Sequence, residues 1–314
     1  MEYRNLGRSG LKVSVIGVGT NQFGGKVDAV NVRNLIDAAL GVGINLLDTA
    51  NIYQAGRSET TIGEALKGRR ETIIIASKFR FKMGDGPNQV GASRKHIMDA
   101  VHASLTRLQT DYIDLYQIHG WDADTPIEET MRTLNGLVTS GKVRYIGASN
   151  FTAWQLAHAN AVAAQNGWEQ FVSVQPHYHL FERNIETELI PACEYFNIGI
   201  LPYFPLAGGF LTGKYKRGEG APEGSRGEQS SYVQKYMTDD NYDRIEALTA
   251  WAEARDHSIN ELAHAWLAAR PQISSVISGA TRVEHILANA KSGDWVLTPD
   301  EVAEIDAIIA GENA

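Results

Sequence analysis

Short apolar runs alternate with amphipathic segments along most of this 314-residue chain. The runs have the length and boundaries of strands, and the segments between them repeat apolar residues at helical spacing. The predicted strands cover residues 15–18, 45–47, 73–77, 113–118, 143–147, 172–175, 199–203 and 275–277. The predicted helices cover residues 31–40, 59–66, 94–108, a segment that starts near 125, 153–164, 185–196, 241–255 with 261–269, and 282–291.

Three threonines mark predicted helix starts. Thr125-Pro126-Ile127-Glu128 reads as a capping box with proline at the first helical position. A second box is Thr152…Gln155, at the start of the helix over residues 153–164. Thr298-Pro299-Asp300-Glu301 opens one extra helix after the last strand–helix unit. A hairpin over residues 2–14, which turns at Arg8-Ser9-Gly10, precedes the first unit.

This order of elements predicts the fold class. Alternating strands and helices imply a parallel sheet with helices packed outside it. Eight such units in about 250 residues favour a closed (β/α)8 TIM barrel over an open sheet. We therefore predict an α/β protein with a barrel, an N-terminal β-hairpin and an extra C-terminal helix, with residues 1–314 forming one domain. Residues 216–229 are Gly- and charge-rich, so we expect an exposed, mobile loop there.

Composition narrows the class of protein. Hydrophobic residues are 43% and charged residues 21% of the chain, as in soluble globular proteins. The formal charge of −8 argues against nucleic acid or an anionic membrane as a partner. Cys193 is the only cysteine and residues 1–5 lack an apolar signal core, so we expect a cytoplasmic protein. The histidines show no metal-ligand spacing, and no metal is expected.

Reactive side chains fall where predicted strands end. Asp48 ends one strand and Tyr53 follows five residues later, Lys78 follows the next strand, and His119 follows the third. In a barrel, the ends of successive parallel strands meet at the active-site face. Singly, each residue has an ordinary explanation as rim packing or a surface salt bridge. Together they favour one site in which Lys78 tunes the Tyr53 phenol for proton donation, Asp48 holds Lys78, and His119 orients a substrate oxygen.

These residues resemble the motifs of the aldo-keto reductase family, and the similarity covers nearly the whole chain. Its first part is Asp48-Thr49-Ala50-x-x-Tyr53, followed by Lys78 and His119. The resemblance continues through Gly147-Ala148-Ser149-Asn150, Gln175-x-x-Tyr178, residues 206–214 and residues 279–289. The loop Gly-Gly-Phe-Leu-Thr-Gly-Lys-Tyr at residues 208–215 is similar to that of bacterial members.

The resemblance implies catalytic roles for four residues. Tyr53 matches the proton donor, Lys78 and Asp48 match the residues that tune it, and His119 matches the residue that orients the carbonyl. With Tyr53 and His119, Trp121 is expected to line the substrate pocket. The implied reaction is reduction of an aldehyde or ketone to an alcohol by NAD(P)H, with a small-molecule carbonyl compound as the partner. The protein is expected to be a monomer or a weak homo-oligomer.

The resemblance also implies a cofactor site for NADPH, with NADH as an alternative. Ser149, Asn150 and Gln175 match the positions that hold the nicotinamide carboxamide, and Tyr203 matches the aromatic residue on which the ring stacks. Amide and hydroxyl groups suit a carboxamide, which both donates and accepts hydrogen bonds. The full expected set is Gly19, Thr20, Asp48, Ser149, Asn150, Gln175, Tyr203, Phe204, Pro205, Leu206, Ala207, Gly208, Lys214, Gly279, Thr281, Arg282, His285 and Asn289.

Two departures from the family pattern bear on the cofactor. Phe204 stands where many members have a serine near the phosphates, and His285 stands where many have arginine or glutamine. Imidazole is largely neutral at pH 7. We therefore expect a moderate preference for NADPH, with Arg282 as its main cationic contact.

Two other functions remain open from the sequence. A nucleotide-binding, redox-sensing regulatory subunit could keep the same residues and turn over slowly. A barrel aldolase or isomerase could use Lys78 to form a Schiff base. Turnover of simple aldehydes would distinguish a reductase from the regulatory subunit. Borohydride trapping with substrate would detect the Schiff-base enzyme.

Overall fold

Eight parallel strands lie at the centre of the structure, which is a computed structural model. It describes residues 1–311 and, within them, all side chains except those of residues 226 and 229. The two strands of the N-terminal hairpin come first, at β1 Tyr3–Asn5 and β2 Lys12–Ser14. The parallel strands are β3 Ile16–Gly19, β4 Leu46–Asp48, β5 Ile74–Phe79, β6 Ile113–Ile118, β7 Val143–Ser149, β8 Ser173–Gln175, β9 Gly199–Ile200 and β10 Val276–Gly279.

Helices separate these strands along the chain. Those between β3 and β9 are α1 Ala29–Gly41, α2 Arg57–Ala65, α3 Arg94–Leu108, α4 Ile127–Thr139, α5 Ala153–Gln165 and α6 Leu189–Phe196. Those after β9 are α7 Arg226–Gln229, α8 Ser231–Gln234, α9 Asp239–Glu253, α10 Ile259–Ala268, α11 Val283–Ser292 and α12 Pro299–Ala310. None of the helices formed by residues 1–311 is long and apolar enough to span a membrane.

The sheet closes on itself. Its strands lie in the order β10-β3-β4-β5-β6-β7-β8-β9, and all neighbours are parallel. A parallel bridge joins Ile200 of β9 to Ile273, just before β10, and a second joins Tyr203, just after β9, to Ile277 of β10. The Ile277 N–H also donates to the Pro202 carbonyl at 2.9 Å. The structure therefore confirms the predicted (β/α)8 barrel.

The hairpin covers the N-terminal end of the barrel. β1 and β2 pair in antiparallel fashion, and Leu6 and Val13 are buried there. They pack in one apolar cluster with Leu46, Leu115 and Ile277, which come from three barrel strands. Because this end is filled by apolar side chains, the opposite end is left for polar groups at the carboxyl ends of the strands.

One predicted capping box is absent, and one predicted helix start is wrong. Helix α4 begins at Ile127, Pro126 occupies its N-cap position, and no side chain caps it. Thr125 therefore lies one residue before the N-cap position, and its hydroxyl donates to Asp122 at 2.7 Å. The helix predicted at 185–196 begins only at Leu189. Pro191 lacks an N–H group and fits a helix only within its first turn, which sets this later start.

Other boundaries follow the predictions more closely. The boxes at Thr152 and Thr298 are both formed, with Gln155 and Glu301 at the third helical positions. Strand β9 is shorter than the predicted 199–203, and Pro202 lacks the N–H that a ladder needs. The irregular segment after β9 contains the two short helices α7 and α8, which the sequence pattern did not indicate. The assignment of residues 1–314 to one domain stays a prediction, and its last three residues lie outside the described part of the chain.

Candidate active site

Three barrel strands bring the predicted catalytic groups to one edge. Asp48 is the last residue of β4, Lys78 lies one residue before the end of β5, and His119 directly follows β6. Side chains alternate along a strand, so residues two apart share a face. Ala76 and Leu115 pack in the inner apolar cluster. Lys78, two residues after Ala76, therefore points into the barrel above an apolar floor.

Lys78 is the centre of a buried hydrogen-bond network. Its Nζ donates to Asp48 Oδ2 at 2.6 Å, to the Thr49 carbonyl at 2.9 Å and to the Tyr53 phenol at 3.4 Å. The side chain is fully buried, with 0% exposure, and that of Asp48 is 3% exposed. An ammonium has three donors, and all three have partners here. The network therefore holds a positive charge next to the Tyr53 oxygen.

A sharply bent turn presents Tyr53. The short 3-10 helix Tyr53–Gly56 has left-handed backbone angles at Gln54 and Ala55, with φ of 51° and 54°. The Gln54 side chain donates to the Asn21 carbonyl at 2.9 Å and ties this turn to the loop after β3. The Tyr53 ring meets His119 edge to face at 5.9 Å between centroids. The phenol and the imidazole thus lie side by side at the same opening.

The Asp48–Lys78 pair influences the protonation states of Lys78 and Tyr53. Burial by itself would lower the pKa of Lys78, but Asp48 and then Tyr53 outweigh it, and the pKa of Lys78 lies above its ordinary value. Burial raises the pKa of Tyr53, the Lys78 ammonium opposes this, and the net pKa is above its ordinary value. At neutral pH, Lys78 is therefore charged and Tyr53 keeps its proton. The expected lowering by Lys78 is present, but it is smaller than the effect of burial.

His119 is neutral in this site. Burial, together with the positive charges of Lys78 and Arg80, lowers the pKa of His119 to about 2. Its Nδ1 is buried and has no hydrogen-bond partner within residues 1–311. A neutral imidazole carries one N–H. If that proton is on Nε2, Nδ1 carries none, and Nε2 is the one hydrogen-bond donor of the ring. His119 can therefore donate a hydrogen bond but has no ionisable proton to give at ordinary pH.

A cavity of about 280 Å³ opens directly onto these groups. It is lined by Gly19, Thr20, Asn21, Asp48, Tyr53, His119, Ser149, Asn150, Gln175, Tyr203, Phe204, Ile277 and Gly279. The cavity combines polar groups at the carboxyl ends of the strands with the aromatic rings of Tyr203 and Phe204. Such a mixture suits a planar ring that also carries a polar substituent.

Hydrogen bonds order the residues expected to hold a carboxamide. Ser149 Oγ donates to the Gln175 carbonyl at 2.9 Å, and Gln175 Nε2 donates to Asp48 Oδ1 at 2.8 Å. Asn150 Nδ2 donates to the His119 carbonyl, and Asn150 Oδ1 accepts from the Tyr203 hydroxyl at 2.9 Å. Asn150 therefore fixes the positions of both His119 and Tyr203, a role that the sequence did not indicate.

A second cavity, of about 580 Å³, extends from the first. The two share Asn21, Phe204 and Gly279 in their linings. The second is lined by Asn21, Gln22, Lys26, Phe204, Pro205, Leu206, Gly208, Gly209, Thr212, Lys214, Gly224, Ser225, Asn260, Ser278, Gly279, Ala280, Thr281, Arg282, His285, Ala288 and Asn289. This set contains two lysines and an arginine but no carboxylate, although the chain carries a net charge of −8. The cavity is thus suited to an anion.

Backbone conformation shapes the wall of the second cavity. Gly208 and Gly209 have φ of 68° and 109°, and a Cβ on Gly208 would lie 2.6 Å from Val233. Phe204 also has a left-handed backbone, with φ of 56°. Glycine reaches these angles without steric cost, so the loop can approach both α8 and a ligand closely.

The far end of the second cavity lies at the start of α11. Arg282 is its N-cap residue, and the guanidinium Nη2 lies 3.0 Å from His285 Nε2. Burial lowers the pKa of His285, and the charge of Arg282 lowers it further. His285 is therefore neutral and accepts a hydrogen bond from Arg282. A helix N-terminus beside a guanidinium is a favourable place for a phosphate group.

Most expected residues line one of the two cavities, and three do not. Lys78 lies beneath Asp48 and Tyr53, and Ala207 is buried in the core. Trp121 packs on Phe151 and Trp154 at 5.3 Å between ring centroids in each case. Sequence reasoning missed Asn21, Gln22 and Lys26, on the loop after β3, because no motif marks that loop. Among the side chains described, no group of three or more His, Cys, Asp or Glu residues could hold a metal ion.

Comparison with known proteins defines the family. The aldo/keto reductase family matches residues 15–310, so this chain belongs to that family of oxidoreductases. A "Probable voltage-gated potassium channel subunit beta" of Oryza sativa subsp. japonica is 37% identical, over 98% of this chain and 97% of the rice protein. The Arabidopsis thaliana protein of the same name is 38% identical, over 98% and 97%. Versiconal hemiacetal acetate reductase of Aspergillus parasiticus is 34% identical, over 98% and 96%.

Proposed function

We propose that this protein is an NADPH-dependent carbonyl reductase that converts an aldehyde or ketone into the alcohol, with Tyr53 as the proton donor. The observation that carries the proposal is the position of Lys78 Nζ, 2.6 Å from Asp48 and 3.4 Å from the Tyr53 oxygen, beneath a cavity that Tyr53 lines. A phenol that has lost its proton beside a fixed ammonium is stabilised by that charge. This arrangement lets a group with a high pKa act as an acid.

The electrostatics of the site favour Tyr53 over His119 as the acid. Because the pKa of His119 is about 2, its ring has no acidic proton to transfer at neutral pH. Tyr53 is protonated there and its conjugate base has a partner. We assign His119 the role of donating one hydrogen bond to the substrate oxygen, which keeps that oxygen next to the Tyr53 hydroxyl.

The two joined cavities fit NADPH. Ser149, Asn150 and Gln175 would hold the carboxamide, and Tyr203 would stack on the ring. Lys214 and Arg282 would face phosphate groups in a cavity whose described lining residues include no carboxylate. When bound, NADPH supplies the hydride. The chain's own part is to hold the carbonyl carbon against the ring, to exclude water and to deliver the Tyr53 proton to the oxygen.

A moderate preference for NADPH over NADH follows from the charges at the start of α11. Arg282 is exposed and always charged, so it can form paired hydrogen bonds to a 2′-phosphate. His285 is neutral and occupied by Arg282. Of the three cations that line the second cavity, only Arg282 lies at the N-cap of α11, so NADH should remain usable at higher concentration. We place the reaction in the cytoplasm, in accord with the single, buried Cys193.

The names of the relatives also support a second candidate function, that of a redox-sensing regulatory subunit. Two similar plant proteins are named as potassium channel β subunits, and a fungal relative is named as a reductase. A redox-sensing subunit would bind NADPH and turn over slowly. The third candidate, a Schiff-base enzyme, fits less well, because Lys78 is fully buried, charged and bonded to three oxygens. A Schiff base requires a neutral, accessible amine.

A carbonyl panel tests the proposal. The purified protein is given aldehydes, ketones and sugars with NADPH or NADH, and oxidation of the nicotinamide is followed together with the alcohol formed. With NADPH deuterated on the transferred position, the label should appear on the carbonyl carbon of the product. Tight NADPH binding without multiple turnovers on any compound would favour the regulatory subunit instead.

A further inference from the structure

Gln117 lies in the same layer of the barrel interior as Lys78. The strand register pairs Lys78 with Gln117, Gln117 with Gly147, and Gly147 with Ser173, across β5 to β8. Gln117 is fully buried, and it lines neither cavity. A buried amide needs an explanation, because an amide without partners is costly to bury.

The amide nitrogen of Gln117 points to Asp48. Its Nε2 donates to Asp48 Oδ1 at 3.4 Å. The same oxygen accepts a hydrogen bond from Gln175 at 2.8 Å. The other oxygen, Oδ2, is occupied by Lys78. A flipped amide would place its own oxygen against the carboxylate, so the charge of Asp48 sets the orientation of Gln117.

The amide oxygen of Gln117 has no partner within residues 1–311, and neither has the Ser173 hydroxyl. Both side chains lie against Gly147: a Cβ there would be 2.5 Å from Ser173 Oγ and 3.2 Å from Gln117 Cγ. The missing Cβ at Gly147 leaves room for the two polar groups. One buried water could bridge the Ser173 hydroxyl and the Gln117 amide oxygen and so satisfy both groups.

We propose that Gln117 is a positioning residue that holds Asp48 in the orientation in which it binds Lys78. The inference rests on the proposed reductase function. Gln175 donates to the same oxygen, but it lines the cavity and is also assigned to the carboxamide. Gln117 is out of reach of any ligand there, so its hydrogen bond persists whatever occupies the site. Among the titratable groups nearby, Asp48 accepts its hydrogen bond and Lys78 is its register partner on β5. Tyr53 is hydrogen-bonded to Lys78, and His119 lies two residues further along the chain.

Two variants and one matched control test this role. Gln117→Met keeps the volume and removes the donor. Gln117→Glu keeps the shape, and its carboxyl group can donate to Asp48 only while it is protonated. Tyr116→Phe, at the neighbouring position of β6, removes another buried hydroxyl that has no partner within the described chain, and should leave the rate unchanged. Hydride transfer is measured in single turnovers across pH, and NADPH binding is measured separately by protein fluorescence.

We expect Gln117→Met to slow hydride transfer by about tenfold, the scale of one hydrogen bond to a charged group, with NADPH binding changed less than about twofold. Gln117→Glu should be several-fold faster than Gln117→Met at low pH and should lose that advantage as the pH rises and its carboxyl ionises beside Asp48. A wild-type rate in Gln117→Met overturns the proposal. If that variant fails to fold, a Gln117→Glu rate that keeps a constant ratio to the wild-type rate across pH overturns it. A wild-type protein without hydride transfer would instead contradict the proposed function.

Discussion

Asp48 and Lys78 form a 2.6 Å ion pair on adjacent barrel strands, with side-chain exposures of 3% and 0%. Water cannot compensate either charge there, so each depends on the other and on nearby hydrogen bonds. The same pair sets the charge next to the Tyr53 phenol. Stability and catalysis are therefore linked through Lys78, and one substitution should affect both.

Lys78→Met should slow carbonyl reduction by about 10²–10⁴-fold, comparable to the loss of the acid itself. Without the ammonium, the phenolate is less stabilised, so the pKa of the catalytic group in kcat/KM should rise further. Unpaired Asp48 should also lower the unfolding free energy by about 3–5 kcal/mol. Urea titrations and the pH dependence of kcat/KM check both effects.

The double variant Asp48→Asn/Lys78→Met is the control for the stability effect. Removing both charges should recover part of the stability lost in Lys78→Met, because no uncompensated charge remains buried. An unchanged rate and pH profile in Lys78→Met would remove Lys78 from the mechanism. A covalent adduct at Lys78 after borohydride treatment with substrate would support the Schiff-base enzyme.

The pH profile of wild-type reduction follows from two shifted pKa values. Tyr53 must be protonated to act as an acid, and burial raises its pKa above the ordinary tyrosine value despite Lys78. Activity should therefore be retained through neutral pH and fall only as the pH rises through that high pKa. Because the pKa of His119 is about 2, no ionisation of His119 should appear between about pH 5 and 8. A limb in kcat/KM in that range that disappears in His119→Asn would contradict this account.

Arg282→Ala should weaken NADPH binding by roughly 1.5–3 kcal/mol, the scale of hydrogen bonds to a charged group, and change NADH binding little. The reason is the position of Arg282 at the N-cap of α11, where the part of the lining that the structure describes has no carboxylate. Fluorescence titrations with both cofactors measure the difference. Arg33→Ala, an exposed arginine on α1, is the matched control and should change neither affinity. Equal losses for NADPH and NADH would show that Arg282 does not contact the 2′-phosphate.

Gly147→Ala should destabilise the protein by about 1–3 kcal/mol, as overpacking of a core does. A Cβ there would lie 2.5 Å from Ser173 Oγ. Gly136→Ala, where a Cβ meets nothing within 4 Å on helix α4, should instead be neutral or stabilising. Adding Ser173→Ala to Gly147→Ala should recover much of the loss. Urea unfolding of the three variants decides the matter, and similar stability of Gly147→Ala and Gly136→Ala would contradict the packing argument.

Much of the barrel could be predicted because parallel strands alternate with helices and each kind of element has its own apolar period. The errors lie where one side chain overrides the pattern. Pro126 rather than Thr125 occupies the N-cap position of α4, and Pro191 delays the start of α6. Short helices α7 and α8 lack a full apolar period, so the sequence gives them no signal.

The candidate site was predictable where residues sit on strand ends, since the barrel brings those ends together. Asp48, Lys78 and His119 are of this kind. Lys26 approaches the second cavity from a loop whose path no local pattern encodes. Gln117 was missed because the run from Ile113 to Ile118 was interpreted only as a strand. Its spacing of two residues from His119 nevertheless places it on the inner face.

The central claim is that Tyr53 supplies the proton, and Tyr53→Phe in a single-turnover assay tests it most directly. The substitution removes the hydroxyl and keeps the ring that contacts His119. With an aldehyde that the wild-type protein reduces, hydride transfer should be slower by about 10²–10⁴-fold, while the NADPH dissociation constant stays nearly unchanged. If Tyr53→Phe instead keeps more than about a tenth of the wild-type rate with chemistry limiting, Tyr53 is not the acid and the account fails.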